Sequence, residues 1–180
     1  GSATLVGTPA GIGVWGTVRV AGHVEPNAVV WLDTPSPIDA PQGQTVVLDQ
    51  RNQAFSPHVL AVRVGTKVTL PNNDRVFHNV FSFHNGKRFD LGLYPVGTSR
   101  QVVFDQPGLS RIFCNIHPNM AAYVIAVATP YFAVSDAAGR IQLTSVPPGT
   151  YVYHAWRPGG TELSGAATIQ DGVALDVRWP

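Results

Sequence analysis

The chain of 180 residues is 44% apolar and only 13% charged, with 18 glycines, 15 prolines and a net charge of +1. This balance excludes a disordered polyelectrolyte and gives no electrostatic basis for nucleic-acid binding. No apolar run approaches the roughly 20 residues of a membrane-spanning helix, and the single cysteine leaves no intrachain disulfide.

Short apolar runs punctuated by Gly, Pro, Asn and Asp point to an all-β chain. Residues 12–20 read as a strand interrupted by Gly13 and Gly16, glycines of the kind that mark bulges. A turn at Glu25-Pro26-Asn27 precedes a second strand, 28–33. Residues 34–43 contain three prolines, and a segment missing so many amide donors is a connector. Further strands are predicted at 46–48, 59–64, 68–70, 77–83, 98–104, 110–114 and 121–129. Residues 131–143 read as strand, turn, strand, and Val146-Pro147-Pro148-Gly149 as a turn feeding a strand at 151–156. At the end of the chain Leu175, Val177 and Trp179 alternate with Asp176 and Arg178, which predicts an inward and an outward face.

The chemistry concentrates between 113 and 120. Cys114, His117 and Met120 stand at spacing Cys-x2-His-x2-Met, and they include the chain's only cysteine and only methionine. Taken singly, such a Cys or Met is more often core filler. Thiolate, imidazole and thioether together form a soft donor set that selects copper, and a blue-copper site adds a second in-plane imidazole and a weak axial Met. His78, in Asn72-Asn73-Asp74-Arg75-Val76-Phe77-His78-Asn79-Val80, is the candidate for that imidazole. A structural zinc site would prefer another Cys or His to Met120.

The two motifs, Asn-x5-His-Asn-Val and Cys-x2-His-x2-Met, resemble those of the cupredoxins, and the short final loop resembles the amicyanin type. The resemblance implies a Greek-key β-sandwich holding one type 1 copper ion, with His78, Cys114 and His117 in plane and Met120 axial. Asn79 is a candidate for tying the two ligand segments together, or an ordinary exposed polar residue. Phe113 and Phe77 are candidates to shield the metal, or simply core, and Pro118 restricts the ligand loop. Tyr94 and Asn119 are expected on the rim near His117. His23, His58, His84 and His154 are expected in loop or surface roles. Enzymatic copper chemistry meets an obstacle: the chain has no His-x-His, and Phe113 and Asn115 flank Cys114.

The ends of the chain have a different look. Gly-x-Val-x-Val near residue 16, Asp136-Ala137-Ala138-Gly139-Arg140 and Val146-Pro147-Pro148-Gly149-Thr150-Tyr151 resemble carboxypeptidase-regulatory-like, transthyretin-like sandwiches. The expected organisation is therefore nested: 1–44 and 130–180 form an outer β-sandwich around a cupredoxin domain at 45–129. All four Trp lie outside 45–129 and seven of eight Phe inside. The inner segment carries eight Lys/Arg against four Asp/Glu (8 − 4 = +4), the remainder four against seven (4 − 7 = −3). Taken whole, the chain resembles exported plastocyanin-like bacterial proteins labelled methylamine-utilisation-like, through both ligand motifs and Phe89-Asp90-Leu91-Gly92-Leu93-Tyr94. That implies electron transfer rather than catalysis, in the periplasm or outside the cell, with a c-type cytochrome or a dehydrogenase as redox partner. Gly1-Ser2 reads as a cloning remnant and any export signal as already removed. Rival readings are copper delivery without redox turnover and a surface-interaction module. Arg75, Lys87, Arg88 and Arg100 are the expected steering charges.

Overall fold

The computed structural model describes residues 11–180 apart from 39, 83–85, 115 and 118; the expectations for His84 and Pro118 lie outside the described residues. Among the described residues there are 18 strands and no helix, so the fold class is all-β. These residues form two compact units, one of 11–33 with Tyr131–Pro180 and one of Thr34–Pro130.

The strands of the first segment are β1 (Ile12–Val20), β2 (His23–Val24) and β3 (Val29–Leu32). Those of the continuous unit are β4 (Thr45–Val47), β5 (Asp49–Arg51), β6 (Ala54–Ser56), β7 (Val59–Arg63), β8 (Thr66–Pro71), β9 (His78–Ser82), β10 (Phe89–Tyr94), β11 (Ser99–Phe104), β12 (Gly108–Phe113) and β13 (Ala121–Val127). The closing segment supplies β14 (Phe132–Val134), β15 (Arg140–Val146), β16 (Gly149–Trp156), β17 (Leu163–Ile169) and β18 (Val177–Trp179).

In the discontinuous unit, one sheet runs β15-β1-β18 with β2 on β1, and the other β14-β3-β16-β17. Alternation along each strand decides what is buried: Val14, Val18, Ile141, Leu143, Val177 and Trp179 from the first sheet meet Val30, Leu32, Ala155, Ala167 and Ile169 from the second. The two strand glycines of β1 do different things. The register of β1 against β15 shifts between Ile12 and Val14, so Gly13 sits at an irregularity as expected. Gly16 instead permits a close crossing. A Cβ there would lie 1.6 Å from the carbonyl oxygen of Leu175, whose own amide donates to Trp15 O at 2.9 Å.

The continuous unit is a Greek-key sandwich of a five-stranded sheet, β10-β9-β12-β13-β7, and a three-stranded sheet, β11-β8-β4. The chain crosses between the sheets at β7–β8, β8–β9, β10–β11 and β11–β12, so Val62, Val80, Ile112, Ala122 and Val124 face Val68, Leu70, Val102 and Phe104 across one core. β9 and β12 are antiparallel neighbours, with Phe113 opposite Phe81. This pairing brings the start of β9 and the end of β12 to the same end of the sheet. The hairpin β5–β6 was not legible in the sequence. Its two-residue turn uses Asn52 and Gln53 at φ 53° and 56°, the geometry of a type I′ turn, here without the glycine that usually announces it.

Gly16→Ala is expected to destabilise the discontinuous unit by about 2–3 kcal/mol, because the added methyl meets main chain rather than a movable side chain. Urea unfolding of the full chain should show a lowered midpoint, whereas Gly13→Ala, which has nothing within 4 Å of its Cβ position, should shift it far less.

Candidate metal centre

His78 is the first residue of β9 and Cys114 follows the last residue of β12. Both side chains are buried, at 0% and 1% exposure. The Cys114 Sγ lies 3.6 Å from His78 Nδ1 and 4.0 Å from His117 Nδ1, and the donor atoms of all three residues fall within 4.8 Å of one another. The imidazoles of His78 and His117 meet edge to face, with centroids 5.0 Å apart. His117 is half-buried. Met120 is buried in the same core cluster as Cys114, and its amide donates to His117 O at 2.9 Å, closing the turn between them.

These separations fit a metal. Three donors bound in a plane at about 2.0–2.3 Å, typical of M–N and M–S bonds, stand about 3.5–4.0 Å apart. Direct hydrogen bonding would not require three soft donors to face a common point. The donor set, one thiol and two imidazole nitrogens with a buried thioether in the same cluster, is the combination that suits copper best.

The surroundings resolve most of the other expected residues. Asn79 Oδ1 lies 3.7 Å from Cys114 Sγ, a side-chain contact between β9 and the residue that follows β12. Phe113 stacks on Phe81 with centroids 5.7 Å apart, and the Arg111 guanidinium lies 5.0 Å above the Phe113 ring. Phe77 is 52% exposed, so it stands on the surface rather than over the centre. Tyr94 is not on the rim. It is fully buried, its Cα paired with His78 across β9–β10. Its hydroxyl donates to Leu70 O at 3.0 Å and accepts from Gln50 Nε2. Outside the centre, His58 is exposed with Nδ1 3.1 Å from Ala121 O, and His154 contacts Asp33 at 2.7 Å.

Asp74 was not singled out from the sequence, although it lies in the quoted motif four residues before His78. It is buried, and its Oδ2 stands 2.8 Å from His78 Nε2. Gln53 N donates to Oδ2 at 2.7 Å and Arg75 N to Oδ1 at 2.8 Å. Burial raises the pKa of such a carboxyl, but these two amides and then His78 outweigh it and hold Asp74 below the usual carboxylate range. Asn72, fully buried, shapes the loop: its Oδ1 accepts from Asp74 N, and its Nδ2 donates to Val76 O and Tyr94 O. The Asp-x3-His spacing was the one available signal, and on an irregular loop it has no periodic meaning.

No family model matches the chain, and no curated protein matches it. Among solved structures it is similar to a purple cupredoxin from Nitrosopumilus maritimus, at 29% identity over 47% of this chain and 99% of that one, with a TM-score of 0.41. Amicyanin from Paracoccus versutus is similar at 21% identity over 54% of this chain and 97% of that one, TM-score 0.42. A copper-containing nitrite reductase from Thermus scotoductus is similar at 20% identity over 62% of this chain and 28% of that one, TM-score 0.46.

Burial pushes the Tyr94 phenol up to about 12, against the opposing Gln50 hydrogen bond and the Arg100 charge. The native state therefore holds this proton more tightly than the unfolded chain. The stability it contributes is fully present below pH about 10 and is lost as pH rises toward about 12. The phenolate absorbance of the native protein should show a late step near that value, absent from Tyr94→Phe. Denaturant midpoints should fall across the same window in wild type and less in the variant.

Proposed function

We propose that this chain is a one-electron carrier built around a single type 1 copper ion, which His78, Cys114, His117 and Met120 would hold. The convergence of one thiol and two imidazole nitrogens, two of the three residues fully buried, at separations a metal would bridge supports this reading. When bound, copper supplies a Cu(II)/Cu(I) couple. The residues of the chain supply a fixed frame. His78 and Cys114 are held at the ends of two hydrogen-bonded strands, so neither must move between oxidation states. Cys114 gives up its proton on binding metal, and its burial keeps water and oxidants from the sulfur.

His117, half-buried beside exposed Ile116, is the route to the surface. Phe77 and Leu93 are also exposed, one next to His78 in sequence and the other paired with Asn79 in β10–β9. An apolar rim of this kind suits transient docking to another redox protein, and a c-type cytochrome or a dehydrogenase is the proposed partner. Arg75 and Arg88 are exposed, whereas Lys87 is 3.3 Å from Asp105 and Arg100 lies over the Tyr94 ring. Phe89 pairs with Ser82 and Tyr94 with His78, so Arg88 lies at the end of β10 away from His78, and steering of an acidic partner is assigned chiefly to Arg75. Export to the periplasm or beyond belongs to the same proposal, as does a transthyretin-like outer domain at 1–44 and 130–180 around a copper domain at 45–129. The turn in which Asp136 Oδ1 accepts from Ala138 N and Arg140 N, both at 2.9 Å, supports the outer-domain likeness.

Addition of Cu(II) should produce an intense thiolate-to-copper band in the visible, bleached on reduction and restored on oxidation. Cys114→Ser should lack the band altogether. Met120→Leu should keep copper but raise the reduction potential, since loss of a donor disfavours Cu(II); an unchanged potential would remove Met120 as axial ligand. A copper-delivery protein would bind the ion yet exchange electrons slowly with a soluble acceptor, and stopped-flow kinetics separates the two. The electron-transfer rate with an acidic cytochrome should fall steeply with ionic strength, and the fall should flatten in Arg75→Glu.

A further inference from the structure

We infer that Asp74 is the positioning residue of the centre: its carboxylate fixes the His78 ring in one tautomer and one orientation, with Nε2 protonated and Nδ1 presented to Cys114. The first half of this inference concerns the protein without metal. The second, an effect on the copper couple, rests on the copper reading above.

The geometry carries it. A neutral imidazole has one N–H and one lone pair, and the partner of one nitrogen decides the role of the other. Asp74 Oδ2 stands 2.8 Å from Nε2. The same oxygen accepts from Gln53 N at 2.7 Å, and Oδ1 accepts from Arg75 N. A carboxylate committed to main-chain donors is an acceptor toward the ring as well, so the ring proton belongs on Nε2. The lone pair then sits on Nδ1, the nitrogen 3.6 Å from Cys114 Sγ.

Asp74 cannot drift, because it is tied down from three directions. Its amide donates to Asn72 Oδ1 at 3.1 Å, its side chain is bound by the amide of Gln53, and Asn72 is itself clamped to Val76 and Tyr94. The hairpin β5–β6 has a role in this. Its Asn52-Gln53 turn, in the left-handed region at both residues, delivers the Gln53 amide to the carboxylate. A ring held in this way is already in its ligating state before metal arrives. A carboxylate behind the imidazole also strengthens it as a donor, which favours the more highly charged Cu(II) over Cu(I).

The test has two independent arms. In metal-free protein labelled with 15N at histidine, in mildly alkaline buffer, long-range imidazole couplings report which nitrogen of His78 carries the proton. Wild type should carry it on Nε2, Asp74→Ala should show a mixture, and Asp74→Glu should recover much of the preference. A His78 proton on Nδ1 in wild type, or a tautomer unaffected by Asp74→Ala, overturns the inference without reference to copper. In the second arm Cu(II) is added. Asp74→Ala should bind it about tenfold or more weakly, and the midpoint potential should rise by about 59 mV for each tenfold loss of Cu(II) relative to Cu(I) affinity. Should Asp74→Ala fail to fold, Asp74→Asn, of equal size but without the charge, takes its place and should also raise the potential. Unchanged affinity and potential in the Asn variant overturns the second half. Absence of any thiolate-to-copper band in wild type overturns the copper reading instead, and leaves the tautomer result standing.

Discussion

Everything at the candidate centre depends on the pairing of β9 with β12. Because the two strands are antiparallel neighbours, with Phe113 opposite Phe81 and Ile112 opposite Ser82, the first residue of one and the residue just past the other arrive at the same place. Sheet spacing then fixes the backbone positions from which an imidazole and a thiol approach each other. The core beneath enforces the register. Val80 and Ile112 are both fully buried, and a slip by one residue would turn each of them to the opposite face.

The polar groups around the centre are as ordered as the apolar ones. Asn72, Gln50 and Tyr94 are fully buried yet bonded to main-chain carbonyls at Val76, Pro71 and Leu70. Buried donors left without partners would each cost about 1–3 kcal/mol, so such groups persist only where the surrounding chain is fixed. They therefore act as rivets for the irregular segment between β8 and β9, which has no ladder of its own. The loop that leads into His78 is thus made rigid by its side chains.

The sequence disclosed the chemistry more readily than the framework. Cys114, His117 and Met120 were legible because three soft donors at fixed short spacing are rare, and His78 because its motif repeats the same logic upstream. The strand alternation at Leu175, Val177 and Trp179 was equally plain, and all three are buried. Less was visible where partners come from distant parts of the chain. Asp74 and Gln53 meet across 21 residues, through a hairpin whose turn lacks glycine, and neither carries a periodic signal. Tyr94 was misplaced for a related reason. An aromatic in a mixed stretch such as Phe89–Tyr94 reads equally well as rim or core, and only the β9–β10 register, with Tyr94 opposite His78, decides.

The anchoring of His78 draws on Gln53, Asn72 and Asp74, and that of Cys114 on β12, all of them outside the segment between Cys114 and Met120. Among its described residues, that segment contributes His117 and a main-chain bond from Met120 to His117. The centre is thus made of a permanent half and an interchangeable half. Insertions or exchanges between Cys114 and Met120 alter how far His117 reaches toward solvent and which surfaces it can meet, while the thiol and the first imidazole stay where the sheet puts them. A chain built this way can change what meets its centre by editing a few residues of one loop, without renegotiating the fold.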